Sequence, residues 1–173
     1  MQSNETKALA EVSNAIDAGD LEYAGFWIRV GAALIDSILL LLIITPLLIK
    51  FYGWTYFSAD AGSNAYVFVK GPSDFIISYL VPAIISIAFW MTKQATPGKM
   101  LLKLKIVDAK TGNPLTLGQS IGRYLGYYVS IIPFCLGLIW VGIDSKKQGW
   151  HDKLAGTVVV RSKKRGTEAV KFQ

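Results

Sequence analysis

The sequence predicts an α-helical membrane protein. Two transmembrane helices precede a re-entrant or short-helix hairpin on the cytoplasmic side, and a small cytoplasmic β element falls at about 101–109 and 157–161. Three observations lead there. The first is composition: 52% of the 173 residues are apolar and 17% charged, oilier than a typical soluble domain. The apolar residues are also clumped, since Ser37–Ile49, Phe75–Thr92 and Tyr124–Ile143 carry no charge. A span takes roughly 20 mostly apolar residues. The second is the distribution of Lys and Arg: two in residues 50–74, six in 93–123 and eight in 144–173. By the positive-inside rule the last two segments share the cytoplasm. The third is a pair of strand-like stretches on either side of the last apolar run, which a single crossing would separate.

The elements follow in order. Residues 1–21 form a cytoplasmic segment in which Ala8, Leu9, Val12, Ala15 and Ile16 recur at helical spacing, with Asn4 and Gly19 as caps. With five acids, one Lys and no apolar core or cleavage site in the first 25 residues, no signal peptide is expected there. The first span runs over about 24–49. Residues 50–74 are rich in aromatics, Gly and Ser, and Trp54, Tyr56, Phe57, Tyr66 and Phe68 suit the headgroup level. The second span is about 75–92, with Pro82 near its middle.

Then the period changes. In MLLKLKIVDA, Leu102, Leu104 and Ile106 alternate with Lys103, Lys105 and Val107, and Thr157–Arg161 is a second β-branched run. The hairpin covers about 117–143, bent near Ile132-Pro133 with arms Leu117–Ile131 and Phe134–Ile143. Residues 163–173 make a basic cytoplasmic tail whose Lys163, Lys164 and Arg165 suit anionic lipid. Cys135, the only cysteine, reads as a packing residue.

Two charges interrupt the first span. Arg29 and Asp36 lie about two turns apart on nearly one face, but helical side chains lean toward the amino terminus, so Arg29 points away from Asp36. Arg29 reaches the inner interface, where the hairpin returns the chain and brings Asp152 level with it. The pair reads as a structural tie or as a cytoplasmic gate. Asp36 sits deeper, and its partner is open among Arg123, Tyr127 and Tyr128. An intramembrane acid is a functional-site hypothesis by default, here proton or ion handling against a buried structural hydrogen bond. Gly118, Gly122 and Gly126 recur every four residues, a pattern that lets helices approach closely. His151 beside Asp152 suggests acid–base chemistry, but no nucleophile accompanies it, so it reads as a capping or interface residue. No metal-ligand spacing, cofactor motif or catalytic set is present, and TPGK lacks the rest of a phosphate loop.

FWIRVGAALIDSILL, TPGKMLLKLKIVDAKTGNPLTLGQSIGRYLG and KKQGWHDKLAGTVVVR resemble, in order and spacing, the RDD family of membrane proteins, over residues 22–162. The arginine and two aspartates that name the family match Arg29, Asp36 and Asp152. The resemblance implies a protein of a bacterial-type cytoplasmic membrane, its molecular function unassigned and transport suspected.

Two function classes follow. One is a proton-coupled transporter of a cation or small solute through Asp36, acting as a homo-oligomer because so few spans enclose little volume. The other is a non-catalytic membrane scaffold or accessory subunit that docks a membrane-protein partner. The expected surroundings are the lipid bilayer, with both termini in the cytoplasm. The basic pI of 9.4 reflects sidedness; the interleaved aromatics and groove-reading element of a nucleic-acid binder are missing.

Overall fold

The computed structural model describes residues 21–57 and 71–163, together with Val170 and Phe172. The amino-terminal helix expected over residues 4–18 and most of the basic tail lie outside these residues. Strand β1 (Leu21–Tyr23) leads into helix α1 (Phe26–Tyr52), whose 27 residues span about 40 Å at 1.5 Å each, more than the hydrocarbon core requires. Leu34, Ile38, Leu41 and Leu42 stand exposed along it, the surface a helix offers to lipid. Helix α2 combines an α turn (Pro72–Phe75), a π turn (Ile76–Leu80) and an α-helix (Val81–Lys93). Among the described residues, α1 and the stretch Pro72–Leu101 are the two helices long and apolar enough to cross a membrane.

The strand expected at about 101–109 forms within those bounds. The first residue of that range belongs to a short helix, α3 (Pro97–Leu101), and strand β2 covers Leu104–Asp108. Thr96 as N-cap with Pro97 at the first helical position explains the short helix before it: the proline ring presets the helical φ and its missing N–H costs nothing there. Beyond β2, Asp108 accepts the amides of Lys110 and Thr111, both at 2.8 Å, and closes the turn.

Helix α4 (Leu117–Ile131) opens on a capping box, in which the Gln119 amide donates to Thr116 Oγ1 at 3.3 Å and the Thr116 amide to Gln119 Oε1 at 3.0 Å. Helix α5 (Leu136–Ile139), extended by a 3₁₀ turn (Trp140–Gly142), folds back from α4 through a bend of 113°. The hairpin therefore has its bend at residues 132–135, and its second arm is the shorter one. Helix α6 (Trp150–Ala155) and strand β3 (Thr157–Ser162) close the fold.

The three strands form one antiparallel sheet in the order β1-β3-β2. Leu21 pairs with Ser162 on one side of β3, and Ile106 with Val159 on the other. β1 precedes the first span, β2 follows the second and β3 follows the hairpin. Two spans with a hairpin that enters and leaves on one side satisfy that pairing; a single crossing by the hairpin segment would break it. One face of the sheet packs Leu104, Ile106 and Val159 against Ala24, Ala32 and Trp90. The other packs Val107, Val158, Val160 and Val170 together.

Candidate functional site

Helix α4 has an inverted pattern. Ser120, Arg123 and Ser130 are fully buried, while Leu117, Ile121, Leu125 and Val129 face outward. Polar side chains turned inward are what a helix shows when its apolar stripe meets lipid. Arg123 is the centre of this face. Its Nη1 donates to Asp152 Oδ1 and to Thr157 Oγ1, the latter at 2.6 Å, and its guanidinium lies 5.5 Å from the centre of the Trp90 ring.

Asp152 holds a second cation. Arg29 Nη1 lies 2.5 Å from Asp152 Oδ2, while Arg29 Nη2 donates to the Lys147 carbonyl at 2.5 Å and Nε to the Ala24 carbonyl at 2.9 Å. The Gly149 amide adds a bond to Asp152 Oδ2 at 3.0 Å, fixing the acid in the first turn of α6, where the helix dipole favours a negative charge. Burial raises the Asp152 pKa, but the guanidiniums of Arg123 and Arg29 outweigh it and hold the carboxyl below its usual range. One acid thus clamps the first span, the hairpin and the sheet-bearing segment together.

His151 stacks on Tyr127 with ring centres 4.1 Å apart. Its amide donates to Ser130 Oγ at 3.1 Å. Desolvation drives its pKa down to about 3, against the pull of Asp152 and with the help of Arg123, Arg29 and Lys99, so the ring is neutral at pH 7. This close approach requires Gly126: a Cβ there would lie 2.9 Å from His151 Cα. Gly118 and Gly122 meet nothing within 4 Å, so within the chain only one of the three regularly spaced glycines lies against another element.

Asp36 lies apart from this clamp, and none of the partners read from the sequence bonds it. Thr96 Oγ1 donates to Asp36 Oδ2 at 2.5 Å and the Gly98 amide to Oδ1 at 2.6 Å. The carboxylate caps α3 from a neighbouring helix. Gly98 is required for it, because a Cβ would fall on the Ala32 carbonyl oxygen and 2.9 Å from Asp36 Cγ. Tyr127 and Tyr128 line a cavity of about 390 Å³ beside Asp36 without bonding it, and Arg123 is committed to Asp152.

Sequence reasoning missed Thr96, Gly98, Lys99, Trp90 and Thr157. Thr-Pro-Gly is a helix-start signature that would have placed a cap at 96; nothing in the sequence marks Thr157. Among the described residues no group of three or more His, Cys, Asp or Glu is placed to hold a metal ion.

Comparison with known proteins places the chain among membrane proteins. The model of the RDD family matches residues 23–156. The uncharacterized protein YxaI of Bacillus subtilis is 33% identical over 152 residues, 79% of this chain and 96% of that protein. The uncharacterized membrane protein YteJ of the same organism is 31% identical over 146 residues, 82% of each. An uncharacterized protein of Rickettsia prowazekii is 46% identical over 88 residues, 51% of this chain, which spans about half (49%) of that relative's length. No solved structure matches.

Proposed function

The chain belongs to the RDD family of membrane proteins, and from that premise we propose that it acts as a non-catalytic membrane scaffold or accessory subunit. The observation that carries this reading is the engagement of Asp36. A coupling acid must gain and release its proton or ion, yet both oxygens of this carboxylate are held by short bonds from Thr96 and Gly98. The acid is thus spent on fixing the start of α3 against α1. The sheet and the clamp then form a rigid surface for a membrane-protein partner. On this reading the sheet side is cytoplasmic, in keeping with eight Lys and Arg in residues 144–173 against two in 50–74. The molecule sits in the cytoplasmic membrane with both termini inside, as a homo-oligomer that binds no nucleic acid.

The second reading, a proton-coupled transporter of a cation or small solute, draws on the cavity of about 390 Å³ that Asp36 lines with Ser37, Ser86 and Tyr128. Vesicles reconstituted with the purified oligomer and a pH dye separate the two. Under Na⁺, K⁺ and Li⁺ gradients the scaffold reading expects no flux from wild type. Flux that is present in wild type and lost in Asp36→Asn would overturn it.

A further inference from the structure

Beside the clamp, the interior holds more donors than acceptors. Arg29, Lys99 and Arg123 share this region with two carboxylates, Asp36 and Asp152, which leaves one positive charge over. Arg29 spends its nitrogens on Asp152, Lys147 and Ala24. The remaining donors are buried and only partly used. Lys99 is 8% exposed, makes one long bond of 3.3 Å to Thr96 Oγ1, and has no carboxylate within 4 Å among the described residues. Arg123 Nε and Trp90 Nε1 are fully enclosed without an acceptor, their residues 0% and 3% exposed. A buried N–H without a partner is rare and costly, and calls for an unseen acceptor.

The residues that carry these donors line two adjoining cavities. The smaller, about 130 Å³, is lined by Lys99 and Arg123; the larger, about 390 Å³, by Lys99 and Trp90; Tyr127 lines both. Lys99 therefore stands where they meet. We propose that this paired cavity binds a phosphate group, with Lys99 as the principal cation and Arg123 Nε and Trp90 Nε1 as flanking donors. A tetrahedral oxyanion has oxygens diverging enough to meet donors in both cavities, which a single halide centre has not. The group adds the negative charge that Asp36 and Asp152 leave short. The same chemistry comes as the headgroup of an anionic phospholipid or as free phosphate. The site exists whether the protein scaffolds or transports.

Two arms test it. In the first, lipid-free protein in a zwitterionic detergent is heated in sodium phosphate, sodium sulfate and sodium chloride of matched ionic strength. In the second, protein mixed with phosphatidylglycerol is measured by native mass spectrometry for retained lipid. Stabilisation by phosphate over chloride that exceeds that by sulfate, a kosmotrope of similar strength, identifies free phosphate; retained phosphatidylglycerol without that excess identifies the headgroup. In whichever arm responds, Lys99→Gln weakens binding about tenfold or more, the weight of one charge-assisted hydrogen bond. Trp90→Phe keeps the ring and removes one donor, so it weakens binding less and serves if Lys99→Gln does not fold. No stabilisation by phosphate beyond that by sulfate with no retained lipid, or wild-type binding by both variants, would overturn the proposal.

Discussion

If Asp152 is shared by two arginines, its removal strands two cations, and the three single variants differ in a defined order. Asp152→Asn keeps the side-chain shape and removes the charge. Breaking a buried ion pair by deleting one partner costs about 3–5 kcal/mol, because the other charge is left uncompensated. Arg123 is fully buried and cannot relax toward water, whereas the Arg29 side chain is 11% exposed and keeps two backbone carbonyls. Asp152→Asn and Arg123→Met therefore belong at the top of that range. Arg29→Met leaves Asp152 paired with Arg123 and costs about 1.5–3 kcal/mol, one hydrogen bond to a charged group. The double variant Arg123→Met with Asp152→Asn is cheaper than the sum of its parts, since each change removes what the other strands. The charge swap Arg29→Asp with Asp152→Arg does not restore stability, because Arg123 then faces an arginine at position 152. Unfolding by SDS titration in mixed micelles reads all five. Full recovery in the swap, or a cost below about 1 kcal/mol for Asp152→Asn, would show that Asp152 serves one arginine or neither.

Three further outcomes are expected. Gly98→Ala drives a Cβ onto the Ala32 carbonyl and Asp36, so the same titration should read a loss of about 1–3 kcal/mol from overpacking, more than for Gly118→Ala, where nothing lies within 4 Å. His151 has its ordinary pKa of 6.5 in the unfolded chain and about 3 when folded; the unfolded state takes up the proton first. Its contribution is therefore complete above pH 6.5 and lost as pH falls from there toward 3, and His151→Gln should flatten that part of the stability curve. On the cytoplasmic placement of the sheet, a cysteine replacing exposed Ser162 in a Cys135→Ser background resists an impermeant thiol reagent in whole cells and reacts after the membrane is opened; reaction in intact cells would invert the topology.

What the sequence made legible was whatever depends on runs and counts. Uncharged runs located both spans, and the proline at 133 located the bend. The Lys and Arg totals, together with strands on both sides of the hairpin, anticipated its return to the same side. Arg29 with Asp152 was legible because both had to lie at one depth. Arg123 was not seen as the second partner of Asp152, since burial of a charged helical face depends on which helix covers it. Asp36 was sought against distant side chains, whereas its partners are a hydroxyl and a backbone amide of the Thr96-Pro97-Gly98 turn; a search for side-chain partners overlooks an amide. β1 spans three residues, too few to show a period, and exists because β3 offers it an edge.

The strand order β1-β3-β2 also sets a sequence of events for a chain that emerges from its amino end. The outer strands are made first and do not touch each other; the strand that joins them is made last. Until Thr157–Ser162 appears, β1 and β2 are two unpaired edges, and Arg29 and Arg123 have no acid between them. Closure therefore waits until both spans and the hairpin have been threaded, and it succeeds only when three separate chain segments have come to rest on one side. A chain inserted with one crossing too many would carry β3 and Asp152 to the far side and leave open strand edges and two naked cations behind. Strand β3 and Asp152 complete the sheet and the clamp only in a chain whose three segments lie on one side.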